Sequence, residues 1–378
     1  MAQSTFWNKL RRITSSGTYY SEIDGFRFIA IMYVVLFHIN GYITAKLPAL
    51  ALPGGFISVW LMNGNKGVLF FFVLSGFIVS LPFARNKDGK TPSARSYYLR
   101  RLTRIEPPYI IALTLIFFGQ LAFNLNPYGL GLTEQLKHYA ASIFYAHGLI
   151  YHHMPIITAV AWSLEVEIQF YLLGPLLFKL FRQNVAVRYL VWSLLIAVCA
   201  LLPNYISPVF RNIYGYGQFF IAGMIAADLF ANYKAIEKLH HPLWIAASAL
   251  LFGYLCYTPI HFNWLTQLTY APLVGVFLLT CICNPSIKKA IGNKVTATIG
   301  GICYSIYLLH FTIISFVGNL IMKHCTVLHG IGGYTVFAAA LLLAILIVSV
   351  AFYLTVEKPF MNKRIITEKS GTNEAVSS

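Results

Sequence analysis

GYTVFAAALLLAILIVSVAFYLTV (333–356) carries no charged residue over 24 positions. At about 1.5 Å of rise per residue, such a run makes a helix of roughly 36 Å, longer than the hydrocarbon core of a bilayer at about 30 Å. An amphipathic helix of a soluble core shows a polar face, and this stretch shows none. It reads as a membrane span, and the chain upstream repeats the pattern. Apolar runs predict nine more spans, near 26–44, 66–83, 107–125, 160–180, 189–207, 214–232, 241–258, 264–283 and 297–319. The expected fold is all-α, a bundle of about ten transmembrane helices.

Composition agrees. Hydrophobic residues make up 58% of the 378 and charged residues 11%, against about 25% charged in an ordinary soluble domain. The net charge of +16 raises the question of nucleic acid, which needs basic residues clustered on a soluble face. Here they sort by loop instead. With the N-terminus inside, 22 Lys and Arg fall on the cytoplasmic side and 5 on the outer side, with Arg27 inside the first span. That asymmetry follows the positive-inside rule, accounts for the charge, and predicts that both termini are cytoplasmic. No nucleic-acid partner is expected.

The chain divides into a cytoplasmic segment (1–23), a membrane domain (24–360) and a polar tail (361–378). The N-terminus carries Lys9, Arg11 and Arg12, but the first apolar run continues to membrane length, so no cleavable leader is expected. The longest outer loop, about 126–159, is too short for a catalytic domain, so chemistry belongs to the bundle or its faces. Six cysteines are scattered through apolar runs, and Cys281 and Cys283 lack metal-ligand spacing. No disulfide and no metal site are expected.

Ionisable groups inside a span are costly and mark function. Four stand out: Arg27, His38, Glu167 and His310. Arg27 and His38 are eleven residues apart on one helix, about three turns plus 20°, so they share a face and lie roughly 16 Å apart along the axis. Glu167 enters from the outer end of the fourth span to a depth of roughly 10 Å. His310 rises from the inner end of the ninth span to a similar level. His38, Glu167 and His310 are therefore expected at one depth, where a histidine can be tuned for proton transfer. Arg101 and Arg104, three apart before the third span, share a helical face suited to gripping phosphate. Glu165 has no role in this reading.

The chain resembles acyltransferase family 3, the polytopic membrane O-acyltransferases. The resemblance is an ordered set of motifs over about 20–360. IDGFRFIAIMYVVLFH (23–38) carries a basic residue, ten intervening residues and a histidine. GVLFFFVLSGFIVS (67–80), YYLRRLTRIEPPY (97–109) and WSLEVEIQFYLL (162–173) follow. FFIAGMIAA (219–227), GGICYSIYLLH (300–310) and EKPF (357–360) complete the series. Departures are local: Glu165 stands where a small residue is usual, Ile168 where an acid is common, and Cys303 where a serine is common.

The resemblance implies a donor, usually acetyl-CoA as co-substrate, on the cytoplasmic side. It implies a glycan or lipid-linked sugar hydroxyl as acceptor at the outer face of a bacterial inner membrane. It implies His38 and Glu167 as catalytic residues, with Glu167 orienting His38 for general-base action. Arg27, Arg101 and Arg104 would bind the CoA phosphates, and Tyr304 and His310 would line the substrate pocket. Tyr128, Tyr139, Tyr151, His152 and His153 of the longest outer loop are candidates for stacking on sugar. The competing reading is a multi-spanning transporter, for which an inverted repeat would be the signature. None is visible.

Overall fold

The computed structural model describes residues 10, 19–86, 93–125, 129–202, 212–259, 263–322 and 329–361. Lys9, Arg11, Arg12, Tyr128, Cys325 and the tail past Met361 lie outside them. Helices fill the described chain, with no strand among the described residues. The first half contains α1 (Ser21–Lys46), α2 (Phe56–Met62), α3 (Gly67–Arg85), α4 (Ala94–Ala122), α5 (Leu132–Ile143), α6 (His147–Tyr151) and α7 (Trp162–Leu177). The second contains α8 (Val185–Leu201), α9 (Ile213–Asn232), α10 (Leu243–Tyr257), α11 (Trp264–Cys283), α12 (Pro285–Ile291), α13 (Lys294–Gly301), α14 (Cys303–Met322) and α15 (Gly330–Phe352).

Each expected span coincides with helix. Among the described residues, seven stretches are long and apolar enough to cross a membrane, namely Ser21–Lys46, Gly64–Arg85, Ala94–Ala122, Ile213–Asn232, Trp264–Cys283, Cys303–Met322 and Gly330–Met361. The remaining three, α7, α8 and α10, have 16, 17 and 15 residues. These fall short of the ~20 that a full crossing takes. The polarity of the bundle is reversed relative to a soluble protein. Large apolar side chains such as Leu115, Phe118, Leu172, Leu176, Leu190 and Leu194 face outward. Arg27, Glu165, Asp228, His310 and Glu357 are buried. Together these features define an integral membrane protein whose helices turn polar groups toward one another.

α3 and α9 cross at close range. A Cβ on Gly76 would collide with the Phe220 carbonyl, and one on Gly223 with the Val73 carbonyl. Backbones this close are what small residues permit between membrane helices. Phe72 and Phe170 pack on Phe220 beside the crossing, with ring centroids 4.7 and 4.3 Å away. Ion pairs add two further helix–helix links. Arg188 Nη2 lies 2.9 Å from Asp228 Oδ2, joining α8 to α9, and Lys288 Nζ lies 2.7 Å from Glu22 Oε1, joining α12 to α1.

Three elements differ from the sequence expectation. The third span begins not at 107 but at Ala94, where the Ser93 hydroxyl accepts the Ser96 N–H at 3.2 Å. The helix then runs through Pro107 and Pro108. A proline removes one N–H, and in a packed membrane bundle this is tolerated without ending the helix. Arg100, Arg101 and Arg104 therefore ride on the helix and not on a loop. The ninth span is broken at Ile302 into α13 and α14. The segment that carries α5 and α6, from residue 129 to α7, turns back along the bundle. α5 lies beside the second half of α4, with Tyr139 bonded to Thr114 at 2.7 Å and stacked on Phe117 at 4.5 Å. Tyr109 donates to the Ser142 carbonyl at 2.8 Å and stacks on Tyr145 at 4.6 Å.

Candidate active site

The site has a histidine half and a carboxylate half. His38 on α1 meets His310 on α14, with ring centroids 5.2 Å apart and planes tilted by 50°. Phe37 and Phe311 wall His38 at 4.9 and 5.2 Å. His310 is fully buried. Its Nδ1 lies 3.0 Å from the Ile306 carbonyl and 2.8 Å from that of Tyr307. Two acceptors there require Nδ1 to carry the proton, which leaves the lone pair on Nε2. Nε2 has no hydrogen-bond partner. The expected meeting of His38 and His310 is therefore formed.

Glu167 on α7 accepts from Ser75 Oγ of α3 at 2.6 Å and from the Tyr171 hydroxyl, one turn on, at 2.5 Å. The Arg101 guanidinium sits 4.1 Å from the Tyr97 ring centre and 5.7 Å from that of Tyr171, so it points into the bundle toward this carboxylate. Its Nη1 donates to the Tyr97 carbonyl at 3.3 Å, while its Nε is buried without a partner. Arg104 is half-buried on the same helix. Arg100 instead turns back to Ser96 Oγ, with Nε at 3.0 Å and Nη2 at 2.8 Å.

Two tyrosines join the halves. Tyr307, three residues before His310, donates to the Val160 carbonyl and bonds Ser163 Oγ at 2.6 Å. Ser163 lies one turn before Glu167, so this clamp sets α7 against α14. The Tyr304 hydroxyl donates to the Ile105 carbonyl at 2.8 Å and ties α14 to α4 beside Arg104. Tyr145, Tyr109 and Glu167 all lie within electrostatic reach of Tyr304.

Two expectations change. Among the described residues Glu167 makes no hydrogen bond with His38; its Oε1 accepts instead from Ser75 and Tyr171. Arg27 is ion-paired with Asp24, one turn earlier. Glu165, which had no role, accepts the Gly148 N–H at 2.8 Å and fastens α6 to α7. In the connecting segment outside the spans, burial pushes His147 down to about 4 and also lowers His138.

Some of the missed residues carried a signal. Tyr171 is four residues after Glu167, Tyr307 three before His310, and Asp24 three before Arg27. Each is a same-face helical neighbour. Ser75 carried none, since only the packing of α3 on α7 brings it to Glu167.

Fold and site together define a polytopic helical membrane protein with a titratable chamber among its helices. The chain belongs to the acyltransferase family described as an acyltransferase domain, whose match covers residues 20–355. It is similar to "Putative O-acetyltransferase SACOL0978" of Staphylococcus aureus (strain COL), at 26% identity over 337 residues, covering 79% of this chain and 51% of that one. It is also similar to "O-acetyltransferase OatA" of Staphylococcus aureus (strain NCTC 8325 / PS 47), at 24% identity over 339 residues, covering 80% and 52%. The chain thus spans about half the length of the curated relatives it matches. No solved structure matches it.

Proposed function

We propose that this protein is a membrane O-acyltransferase. It moves an acyl group, acetyl by the names of its relatives, from cytoplasmic acyl-CoA to a hydroxyl of a glycan or lipid-linked sugar at the outer face of a bacterial inner membrane. The observation that carries the reading is the pairing of half-buried His38 with buried His310, ring centroids 5.2 Å apart, on α14, which is tied by hydrogen bonds to the helices that carry Glu167 and Arg101.

In this reading the donor enters from the N-terminal end of α4. The residues present fit its phosphates: Arg101 has a buried, unpartnered Nε donor, and Arg104 stands three residues on. Arg27 is already charge-compensated by Asp24, so phosphate binding falls to the α4 pair. The pantetheine arm rises along α1 toward His38, a distance of roughly 16 Å from the level of Arg27. His38 takes the proton of the acceptor hydroxyl as its oxygen attacks the thioester carbonyl. The C–S bond then breaks, and CoA leaves as the thiolate and is protonated. His310, its Nδ1 proton held by two carbonyls, positions His38. Glu167 with Ser75 and Tyr171 shapes the chamber wall.

Mass spectrometry of surface glycans from cells with the gene, without it, and with His38→Ala tests this. Loss of an ester mass increment in both the deletion and the variant is expected. An increment retained by a normally expressed His38→Ala protein would sink the general-base role.

A further inference from the structure

The connecting segment between α4 and α7 holds three histidines that the acyl-transfer reading does not use. His138 on α5, His147 at the start of α6 and His153 just past its end bring one ring nitrogen each to within 4.8 Å of one another. His138 Nδ1 and His147 Nε2 are 2.9 Å apart. Two imidazole nitrogens at that distance have either one shared proton or one shared cation between them. We propose that His138, His147 and His153 form a binding site for a zinc-class divalent transition metal, independent of the acyl-transfer chemistry.

The surroundings are built for such a site. His147 is completely buried and its Nδ1 has no hydrogen-bond partner. His153 is exposed, and its Nδ1 lies 2.9 Å from the Met154 carbonyl. Donation to that carbonyl fixes the tautomer and leaves the Nε2 lone pair for a ligand, the usual second interaction of a metal-binding histidine. His152, between α6 and His153, has φ of 57°, and this left-handed turn folds His153 back over the helix. The Tyr151 ring packs on all three imidazoles, with centroids 3.9 to 5.9 Å away. The helices that carry the ligands are themselves tied down, α5 through Tyr139 to Thr114 and α6 through Gly148 to Glu165.

The donor set selects the metal. Three imidazoles without carboxylate suit zinc, copper, nickel or cobalt and not the oxygen-seeking calcium or magnesium. Tetrahedral zinc with Zn–N of ~2.0–2.1 Å places its ligand nitrogens ~3.3 Å apart. Nitrogens already within 4.8 Å of one another need only a small closure. Three protein ligands leave a fourth position for water or a substrate oxygen, and the exposed His153 marks the side from which it is reached. The spacing of nine and six residues matches no familiar ligand pattern, which is why the sequence predicts no metal. A bound ion would pin α5 and α6 together on a segment that Glu165 fastens to α7, two residues from Glu167.

Full-length protein in detergent, stripped with chelator and dialysed, is titrated with Zn²⁺ alone and, separately, Co²⁺ alone. The expected result is about one Zn²⁺ per chain, with tetrahedral d–d absorption for Co²⁺. Affinity should fall by at least about 100-fold in His153→Gln, whose exposed position spares folding, and stay unchanged in the exposed-surface variant His240→Gln/His241→Gln. Equal Zn²⁺ binding by the wild type and His153→Gln, loss only in the His240/His241 variant, or no binding at micromolar Zn²⁺ would each overturn the site.

Discussion

The two halves of the chamber are held in opposite ways. At the carboxylate end Glu167 accepts two hydroxyls and Arg101 lies over two tyrosine rings, with Arg101 Nε left for a donor phosphate. At the histidine end, His38 makes no hydrogen bond among the described residues, and His310 bonds through Nδ1 alone. A buried polar atom without a partner costs about 1–3 kcal/mol, so a protein retains one where a ligand or a proton is to come. The difference separates an end that fixes geometry from an end left open for chemistry. The largest effect therefore belongs to His38. His38→Ala should lower kcat by about 10²–10⁴-fold, the range of a general base. Thermal unfolding should shift little, because the side chain is half-buried and makes no hydrogen bond. A fall in stability as large as the fall in activity would make His38 a packing residue.

Glu167→Ala breaks the comparison from the other side. It removes the shared acceptor of the Ser75 and Tyr171 hydroxyls; these still face each other at 3.2 Å, so one donor is left without a partner, at a cost of about 1–3 kcal/mol. The expected outcome is a lowered unfolding temperature in detergent, with activity falling alongside it. A double-mutant cycle of Glu167→Ala with Ser75→Ala should return a coupling of about 0.5–3 kcal/mol. Additive effects would dissolve the network. Glu167→Gln should leave the pH profile of transfer unchanged, since the carboxylate bonds Ser75 and Tyr171 and not His38; a displaced profile would restore the direct orienting role.

What was legible in the sequence follows from what a helix makes periodic. The fold could be read because a span must be apolar over about 20 residues, and the shared depth of His38 and His310, though not their contact, because depth in a membrane follows from residue count. Contacts that depend on lateral packing could not be read. Ser75 looks like any small residue between glycine and leucine until α3 is laid against α7. The face shared by Arg101 and Arg104 could be read from their spacing, but the start of that helix at Ala94, capped by Ser93, could not. The outer loop reads as open until Tyr139 and Tyr109 draw it along α4. Asp24 was within reach, three residues from Arg27, and would have shown that this arginine is not a free cation.

Arg101 and Arg104 sharpen the division between binding and chemistry. Arg101→Gln removes a charged donor from the mouth of the chamber and should raise KM for acyl-CoA by about 10–100-fold, with kcat nearly unchanged, the mark of binding lost equally from ground and transition states. Arg104→Gln should act in the same direction. An effect confined to kcat would place Arg101 at the reacting atoms and move it to the chemical half.

The smallest expected effect is at Tyr304. Its hydroxyl donates to the Ile105 carbonyl, on the turn just before Pro107. That bond anchors α14, and so His310 six residues later, to the helix that carries the arginines. Hydrogen bonds between membrane helices contribute about 0.6–2 kcal/mol. Tyr304→Phe keeps the ring and removes only this bond, so stability should fall by that amount and KM for the donor should stay within about twofold. If the chamber tolerates a small displacement of α14, kcat should hold as well. A fall in kcat with unchanged stability would mean that the hydroxyl reaches the substrate, and Tyr304 would then join the histidine half as a pocket residue.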